Sequence, residues 1–334
     1  MAAPMAVTAF MDVEDLIAPE ADDIARDCAQ ILLEEGVQVT FCVVGEKARL
    51  LRQRGRLDVI AALREHDIGL HTDFHSVHPT IAEAMAVRDW EDGVAEALER
   101  ERPGIGAIEQ VFGAAPSCWG GPGNTWGPQV CGALTQLGIP AFVYAHTLIP
   151  EGGLHRFSDC IAYPNGLSLS DGNYQNDAVA EWERDLLADR LQADADAGVN
   201  WQQVFLGHPT RILHEEFWDA PNFARGANPP REEWKPARRK SQPDLDRALA
   251  NFRRAVQMLR SLPGIELRTI RQMNTVLEST PATALNAEEQ SNVWPRIQAN
   301  LETMKTWPIM PPDFDVANIL ALTRARLNTL QRYA

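Results

Sequence analysis

Two histidines spaced four residues apart are the strongest chemical signal in this sequence of 334 residues. Residues 69–79 read Gly-Leu-His-Thr-Asp-Phe-His-Ser-Val-His-Pro and contain His71 and His75. If this segment is helical, one turn places both imidazoles on the same face, where they can share one ion. Neutral imidazole binds zinc but also cobalt, nickel, iron or manganese, so the spacing alone does not select the metal. Two ligands do not make a site, and the alternative is a pair of surface histidines in a polar turn.

Three carboxylates near the start of the chain are candidates for the missing ligand. Residues 11–16 read Met-Asp-Val-Glu-Asp-Leu and place Asp12, Glu14 and Asp15 where an apolar strand should end. Like charges this close together are costly unless a cation neutralises them. The alternative is a capping or solvated role in a loop, which most acidic clusters have.

A third histidine, His208, also follows an apolar run, in the stretch Val-Phe-Leu-Gly-His-Pro of residues 204–209. A single histidine after a strand is more often a structural residue than a catalytic one. However, all three features follow predicted strands. In an α/β barrel they would therefore meet at the carboxyl-terminal rim, where such folds keep their active sites.

The elements that must position these residues alternate between short β-branched runs and longer segments of helical period. Strands are predicted at 6–11, 37–44, 68–70, 139–144, 204–206 and 265–267, and helices at 19–35, 46–65, 79–99, 125–137, 181–197 and 245–262. This alternation is typical of a parallel α/β sheet or barrel. Past residue 279 the sequence becomes polar and helical, which predicts a barrel domain over 1–278 and a C-terminal helical extension over 279–334.

Composition excludes several classes of protein. The chain has 31 Lys and Arg residues against 46 Asp and Glu, a net charge of −15, whereas nucleic-acid binding needs clustered positive charge. No run of about eighteen apolar residues predicts a membrane span. The first ten residues lack the basic and apolar regions of a secretory signal. Five cysteines without a Cys-x-x-Cys pair favour reduced thiols, and together these features predict a cytoplasmic protein.

Four segments, in chain order, resemble the motifs of the polysaccharide deacetylase superfamily, the NodB-homology group of carbohydrate esterases. Residues 7–15 resemble the first motif, in a branch with Asp-Val-Glu-Asp instead of adjacent aspartates. Residues 36–45 are similar to the second strand of the family, and residues 71–75 to its His-Ser/Thr-x-x-His metal motif. Residues 205–208 resemble the final motif, which ends in a histidine. The resemblance covers roughly residues 5–275.

The resemblance implies a NodB-like fold, a distorted (β/α)7 barrel, with a divalent metal ion held by two histidines and a carboxylate. His71 and His75 match the histidine ligands of the family. The acidic ligand is Glu14 or Asp15, and the choice stays open because the spacing differs from the common motif. The expected metal is zinc, with cobalt, nickel and manganese as alternatives.

The implied reaction is hydrolysis of a C–N amide bond, foremost the N-deacetylation of an amino sugar in a polysaccharide. Carried over from the motifs, Asp12 would be the general base and His208 the general acid. Trp119 and Trp126, in a loop rich in glycine, are candidate surfaces for stacking a sugar ring, and core packing is their alternative role.

Two departures from the family pattern keep other functions open. Residues 115–122 lack the arginine of the third motif, and residues 142–146 replace an Asp-Trp type motif with a stretch ending in His146. One alternative is an amidohydrolase of a small cyclic amide, imide or ureide. Another is an inactive barrel that binds carbohydrate or a partner protein. We expect a carbohydrate or small-molecule substrate. The apolar stripe over 316–330 could pack on the barrel or pair two subunits.

Overall fold

The computed structural model describes residues 3–143, 148, 153–164 and 166–333, and it shows a curled β-sheet surrounded by helices. Its strands are β1 (Met5–Val13), β2 (Thr40–Val43), β3 (Asp67–Leu70), β4 (Trp119–Gly120), β5 (Ala141–Val143), β6 (His155–Phe157), β7 (Cys160–Tyr163), β8 (Leu167–Ser168), β9 (Trp201–Phe205), β10 (Ile265–Arg268), β11 (Ala282–Ala284) and β12 (Gln331–Tyr333). Its α-helices are α1 (Glu20–Glu34), α2 (Gly45–Gln53), α3 (Leu57–Arg64), α4 (Ile81–Ala86), α5 (Trp90–Phe112), α6 (Gln129–Leu137), α7 (Asp177–Asp196), α8 (Pro209–Leu213), α9 (Ala220–Phe223), α10 (Gln242–Ser261), α11 (Ile270–Glu278), α12 (Ala287–Glu302) and α13 (Ala317–Ala325).

The sheet order is β11-β12-β6-β7-β5-β4-β3-β2-β1-β9-β8, and β10 pairs with the first half of β1. The strands from β7 to β8 along this order run parallel to their neighbours, while β6, β11 and β12 form antiparallel pairs at one edge. This curled parallel sheet, flanked by helices, confirms the predicted distorted (β/α)7 barrel.

Alternation along β1 separates the two faces of the sheet. Val7, Met11 and other odd-numbered residues of the strand belong to the large apolar cluster that includes the surrounding helices. Phe10 belongs instead to a second cluster with Cys42 of β2 and Tyr163 of β7. Because side chains alternate with a period of two, the even-numbered residues of β1 share the inner face of the barrel.

Helix α11 covers the amino-terminal end of the barrel. Its first backbone N–H donates to the Thr40 hydroxyl at the start of β2 (2.9 Å), and Arg271 pairs with Asp67 at the start of β3 (2.9 Å). Ile270 joins the inner apolar cluster. A site is therefore expected at the opposite end of the barrel, where the carboxyl ends of the parallel strands lie.

Two predicted helices are each divided in the structure. The segment 46–65 becomes α2 and α3, separated at Gly55, whose φ of +69° is a left-handed conformation that favours glycine. The segment 79–99 becomes α4, capped by the Thr80 hydroxyl, and α5, capped by the Asp89 carboxylate. These local caps start new helices within stretches whose apolar period is continuous.

The residues after 279 pack onto the same core as the barrel. Ile297 and Leu301 of α12 and Ile319 of α13 are buried in the large apolar cluster, and β12 pairs with both β6 and β11. The apolar stripe predicted over 316–330 thus covers the chain's own core. In the described part of the chain, every helix is too short or too polar to cross a bilayer.

Candidate metal and catalytic site

The exits of β1, β3 and β9 bring five predicted residues into one cluster. Asp12 and Glu14 come from the end of β1, His71 and His75 follow β3, and His208 follows β9. The Asp12 Oδ2 atom lies 3.8 Å from His71 Nε2 and 3.7 Å from His208 Nε2. Parallel strands place their exits at the same rim, which is why residues nearly 200 positions apart in sequence meet here.

Three of these residues form a group that fits a divalent metal ion. One ligand atom each from Glu14, His71 and His75 lies within 4.8 Å of the others, and all three residues are buried. His75 Nε2 is 2.6 Å from Glu14 Oε2, while Glu14 Oε1 is buried and accepts no hydrogen bond from the described residues. Two imidazoles and one carboxylate, with further positions open, form the donor set of many catalytic metal sites.

His71 is held in the form that a metal ligand requires. Its Nδ1 atom lies 3.1 Å from the Gly120 carbonyl oxygen, an acceptor, so Nδ1 carries the proton and Nε2 presents its lone pair to the cluster. Burial, together with the charge of His75, lowers the pKa of His71 to about 3. The ring is therefore neutral at pH 7.

His75 is oriented by a short chain of polar groups that the sequence analysis did not identify. Its Nδ1 lies 2.5 Å from the Ser76 hydroxyl, which donates to Asp219 Oδ2 at 2.5 Å. Burial would lower the pKa of His75, but the carboxylates of Glu14 and Asp219 outweigh this effect and raise it. Asp219 precedes α9, in an irregular stretch whose sequence carries no periodic signal.

The helical interpretation of the His71–His75 spacing is wrong. The segment is a loop in which Thr72 and His75 adopt left-handed φ angles of 56° and 53°. The His75 backbone N–H donates to the Thr72 hydroxyl at 2.9 Å, which closes the turn and brings the two imidazole centroids to 4.8 Å. The two rings still share one location, but a tight turn rather than a helical face brings them together.

The carboxylates of Glu14 and Asp15 have different surroundings in the structure. The Asp15 Oδ1 atom accepts hydrogen bonds from two backbone N–H groups of its own turn. Its Oδ2 atom accepts from the Thr210 hydroxyl at 3.2 Å and lies 3.0 Å from His214 Nε2. Glu14 instead continues the inward alternation that includes Asp12. The period of the strand, applied past Val13, would have favoured Glu14 from sequence.

His208 forms an ion pair with Asp171, which the sequence analysis also missed. Asp171 Oδ2 lies 2.6 Å from His208 Nδ1 and accepts the His208 backbone N–H at 2.7 Å. Burial would lower the pKa of His208, but Glu14 and Asp171 together raise it to about 9. The imidazole is therefore protonated at neutral pH, with Nε2 located 3.4 Å from Glu14 Oε1.

The two tryptophans predicted to stack on sugar are not accessible to a substrate. Trp119 is 1% exposed and Trp126 is 2% exposed, and both lie in the large apolar cluster. Trp119 Nε1 donates to Glu101 Oε2 at 2.8 Å, and the Trp126 ring packs on Phe142. The structure therefore places both tryptophans in the core, which was the alternative role considered for them. His146 lies outside the described residues.

A cavity of about 460 Å³ opens above the cluster. Its floor carries the charged groups, and its walls are largely apolar. The wall residues are Gly123, Asn124, Phe205, Phe217, Ala220, Thr303, Met304, Thr306, Trp307, Pro308 and Ile309. Six of these come from residues 303–309 of the C-terminal extension. The sequence analysis gave this extension no part in the site.

Neither a protein-family model nor a curated protein matches the sequence. Among solved structures, a protein from Mycobacterium smegmatis assigned as a polysaccharide deacetylase aligns with a TM-score of 0.54. The alignment covers 85% of this chain and 98% of that chain, with 16% identity. This chain has the polysaccharide deacetylase fold. At that identity the likeness shows the fold alone.

Two further solved structures superimpose less well on this chain. A family 4 acetyl xylan esterase from Clostridium thermocellum, solved with a cobalt ion, has a TM-score of 0.41 and 16% identity over 83% of this chain and 93% of its own. A family 4 pseudoenzyme from Bacillus anthracis has a TM-score of 0.36 and 11% identity over 62% of this chain and 55% of its own.

Proposed function

We propose that the protein is a metal-dependent hydrolase of a C–N amide bond, and that its foremost substrate is an N-acetylated amino sugar. The observation that carries the proposal is the arrangement around Glu14, His71 and His75. Asp12 lies against this group, 3.8 Å from His71 Nε2, and the protonated His208 lies 3.4 Å from Glu14 Oε1. One base and one acid thus flank a set of metal ligands.

A divalent cation held by Glu14, His71 and His75 would supply Lewis acidity for the amide carbonyl and for the attacking water. Zinc is the expected ion, and cobalt, nickel and manganese fit the same donors. Asp12 takes the proton of the water as the C–O bond forms. His208 gives its Nε2 proton to the leaving nitrogen, which then departs as a neutral amine rather than as an anion. Asp171 keeps His208 charged and fixes its ring through Nδ1.

The test compares Asp12→Asn with His71→Ala in metal content and in acetate release from N-acetylglucosamine oligomers. Asp12→Asn should retain the metal and lose turnover by a factor of about 10²–10⁴, the usual contribution of a general base. His71→Ala should lose the metal itself. Full activity in Asp12→Asn would show that the base has been assigned to the wrong residue.

The cavity walls favour one second candidate, an amidohydrolase of a small cyclic amide, imide or ureide. Residues 303–309 enclose the space above the ligands, and residues 115–122 lack the arginine of the family motif. A purified protein that holds metal and opens hydantoin, but releases no acetate, would support this candidate. A protein that holds no metal under any loading condition would instead be an inactive binding barrel.

A further inference from the structure

We propose that residues 303–309, here called the C-terminal wall, restrict the substrate to a single ring-sized amide. Such a substrate is either a free small molecule or the residue at the end of a chain, and the interior of a polymer is excluded. The inference rests on the proposed function, which it extends from a reaction to a class of substrate.

The volume of the cavity supports this restriction. Its volume of about 460 Å³ lies in the lower part of the range of roughly 300–1,000 Å³ that is typical of small-molecule sites. An interior residue of a polymer has neighbours on both sides, so its site must be a groove that is open in two directions. A free ring or an end residue needs only one opening.

Trp307 closes one side of the cavity against the loop that carries Gly123. A Cβ atom at Gly123 would lie only 2.3 Å from Trp307 Cε2, so the indole occupies the space that a side chain would need there. The indole also contacts the His75 ring in an edge-to-face arrangement, with the ring centroids 6.2 Å apart. The loop and the wall therefore meet directly beside the metal ligands and leave little room for a second sugar unit on that side.

The C-terminal wall is a fixed part of the fold. The Arg225 backbone N–H donates to the Pro308 carbonyl at 2.9 Å, and the Gly226 backbone N–H donates to the Ile309 carbonyl at 2.8 Å. Ile309 is 2% exposed and packs with Trp218 and Phe223. Because Met304 and Ile309 are buried and the backbone carbonyls of Pro308 and Ile309 accept hydrogen bonds, the wall is held in position without substrate.

The chemistry of the surfaces matches a ring with one apolar face. The floor carries carboxylates and imidazoles, while Trp307, Met304 and Phe217 supply apolar surface around it. A flat ring can lie on the indole and direct its carbonyl to the charged floor. A sugar ring with an N-acetyl group and a cyclic ureide share this chemistry.

The experiment compares the wild type, Trp307→Ala and Trp307→Phe on N-acetylglucosamine, its linear pentamer and hydantoin. Rates are measured as kcat/KM, mass spectrometry locates the deacetylated residue, and calorimetry measures binding of each compound. Trp182→Ala is the matched control because Trp182 is 64% exposed on α7, away from the cavity. The wild type should hydrolyse one single-ring compound and should deacetylate the pentamer only at a terminal residue.

Trp307→Ala should raise activity on interior residues of the pentamer, relative to the single ring, by about tenfold, the usual scale of one pocket contact. Trp307→Phe should keep most of the wild-type preference, and Trp182→Ala all of it. The inference is overturned if the wild type deacetylates interior residues as well as the single ring, or if Trp307→Ala leaves the ratio unchanged.

Failure of the proposed function gives a different pattern. In that case the metal-loaded wild type turns over none of the three compounds, and binding decides the question of size. Binding of one single-ring compound would still support the wall as a size filter if Trp307→Ala strengthens binding of the pentamer about tenfold relative to that ring. An unchanged ratio in Trp307→Ala, or binding of no compound, would overturn it.

Discussion

The charge on His208 depends on a carboxylate 37 positions earlier in the sequence. One oxygen of Asp171 is bonded to both the ring Nδ1 and the backbone nitrogen of His208, so the ring cannot rotate without breaking a short contact. Glu14 and Asp171 raise the pKa of His208 to about 9, although burial opposes this. A group with this pKa holds a proton at neutral pH, which is the requirement for a general acid.

Replacing Asp171 with Asn should therefore move the alkaline limb of the pH–rate profile to lower pH. Without the carboxylate, the pKa of His208 falls and the imidazole loses its proton earlier as pH rises. The measurement is kcat/KM between pH 6 and 10, with metal content as a check that the ligands are intact. Asp177→Asn, at an exposed aspartate that begins α7, should leave the limb in place. An unchanged limb in Asp171→Asn would mean that another group sets it.

Neutralising Glu14 and neutralising Asp15, the adjacent carboxylates at the end of β1, should have different effects on metal binding and on stability. Glu14→Gln should lose metal, because it removes a charged ligand from the cluster. Asp15→Asn should retain metal but lower the free energy of unfolding by about 1–3 kcal/mol, because it weakens a buried set of hydrogen bonds. Chelator competition and urea unfolding measure the two effects. Loss of metal in Asp15→Asn together with retention in Glu14→Gln would reverse the assignment.

At the scale of elements, helix α5 carries a buried carboxyl group against β4. Glu101 is 2% exposed and accepts the indole N–H of Trp119. Burial raises the pKa of Glu101 to about 8, and the charge of Asp73 contributes in the same direction. The unfolded chain releases this proton near the ordinary pKa of 4.5, so the stability of the fold should fall as pH rises from there to about 8.

Glu101→Gln should remove this dependence, because an amide keeps the acceptor for Trp119 but cannot ionise. The variant should melt at a higher temperature than the wild type at pH 8, and the difference should shrink toward pH 5. Thermal unfolding at both pH values tests this, with Glu99→Gln on the exposed side of α5 as the control. A constant difference across pH would show that ionisation of Glu101 does not contribute.

The regular elements were largely predictable from local pattern, and the irregular ones were not. Apolar runs of strand length located β1, β2 and β3 to within a few residues, because a buried parallel strand is largely apolar. The strand predicted at 204–206 is β9, which begins earlier at Trp201 because two glutamines interrupt its apolar run. The turn that joins His71 to His75 could not be predicted in this way. It depends on two left-handed residues that are neither glycine nor asparagine, and which the surrounding contacts hold in place.

At the scale of the whole molecule, the C-terminal extension shares one core with the barrel. Leu301 of α12 is fully buried in the large apolar cluster, which includes residues from β1 and α1. Leu301→Ala should lower the free energy of unfolding by about 2–5 kcal/mol, the usual cost of such a cavity. Urea unfolding should still show a single transition. The matched control is Leu186→Ala, at a leucine that is 55% exposed, and it should change stability by less than about 0.5 kcal/mol.

A urea unfolding curve with two transitions would show that the barrel and the C-terminal extension unfold separately. If Leu301→Ala produced two transitions, with the barrel unfolding at the wild-type urea concentration, residues 279–334 would fold as a unit of their own. The predicted boundary at 278 would then divide domains rather than mark a change in composition.

Whether a site residue could be predicted from the sequence depends on whether it lies at the end of a strand or in an irregular segment. Asp12 lies near the end of β1, and His71, His75 and His208 follow β3 and β9, so a barrel topology was enough to group them. Asp171, Asp219 and Trp307 lie in irregular segments, and their positions depend on packing between regions far apart in sequence. Sequence pattern predicts where strands end but not which loop residue reaches back to support a histidine.

The groups that carry charge and most of the apolar wall are encoded in separate stretches of the chain. The acids and imidazoles of the cavity floor come from positions 12 to 219, and six wall residues come from 303 to 309. If the proposed wall selects the substrate, mutational libraries confined to residues 303–309 should alter which molecules bind while the acids and imidazoles stay unchanged. Under the proposed function, selectivity for substrate could therefore evolve through residues 303–309 without a change in the groups proposed to hydrolyse the amide.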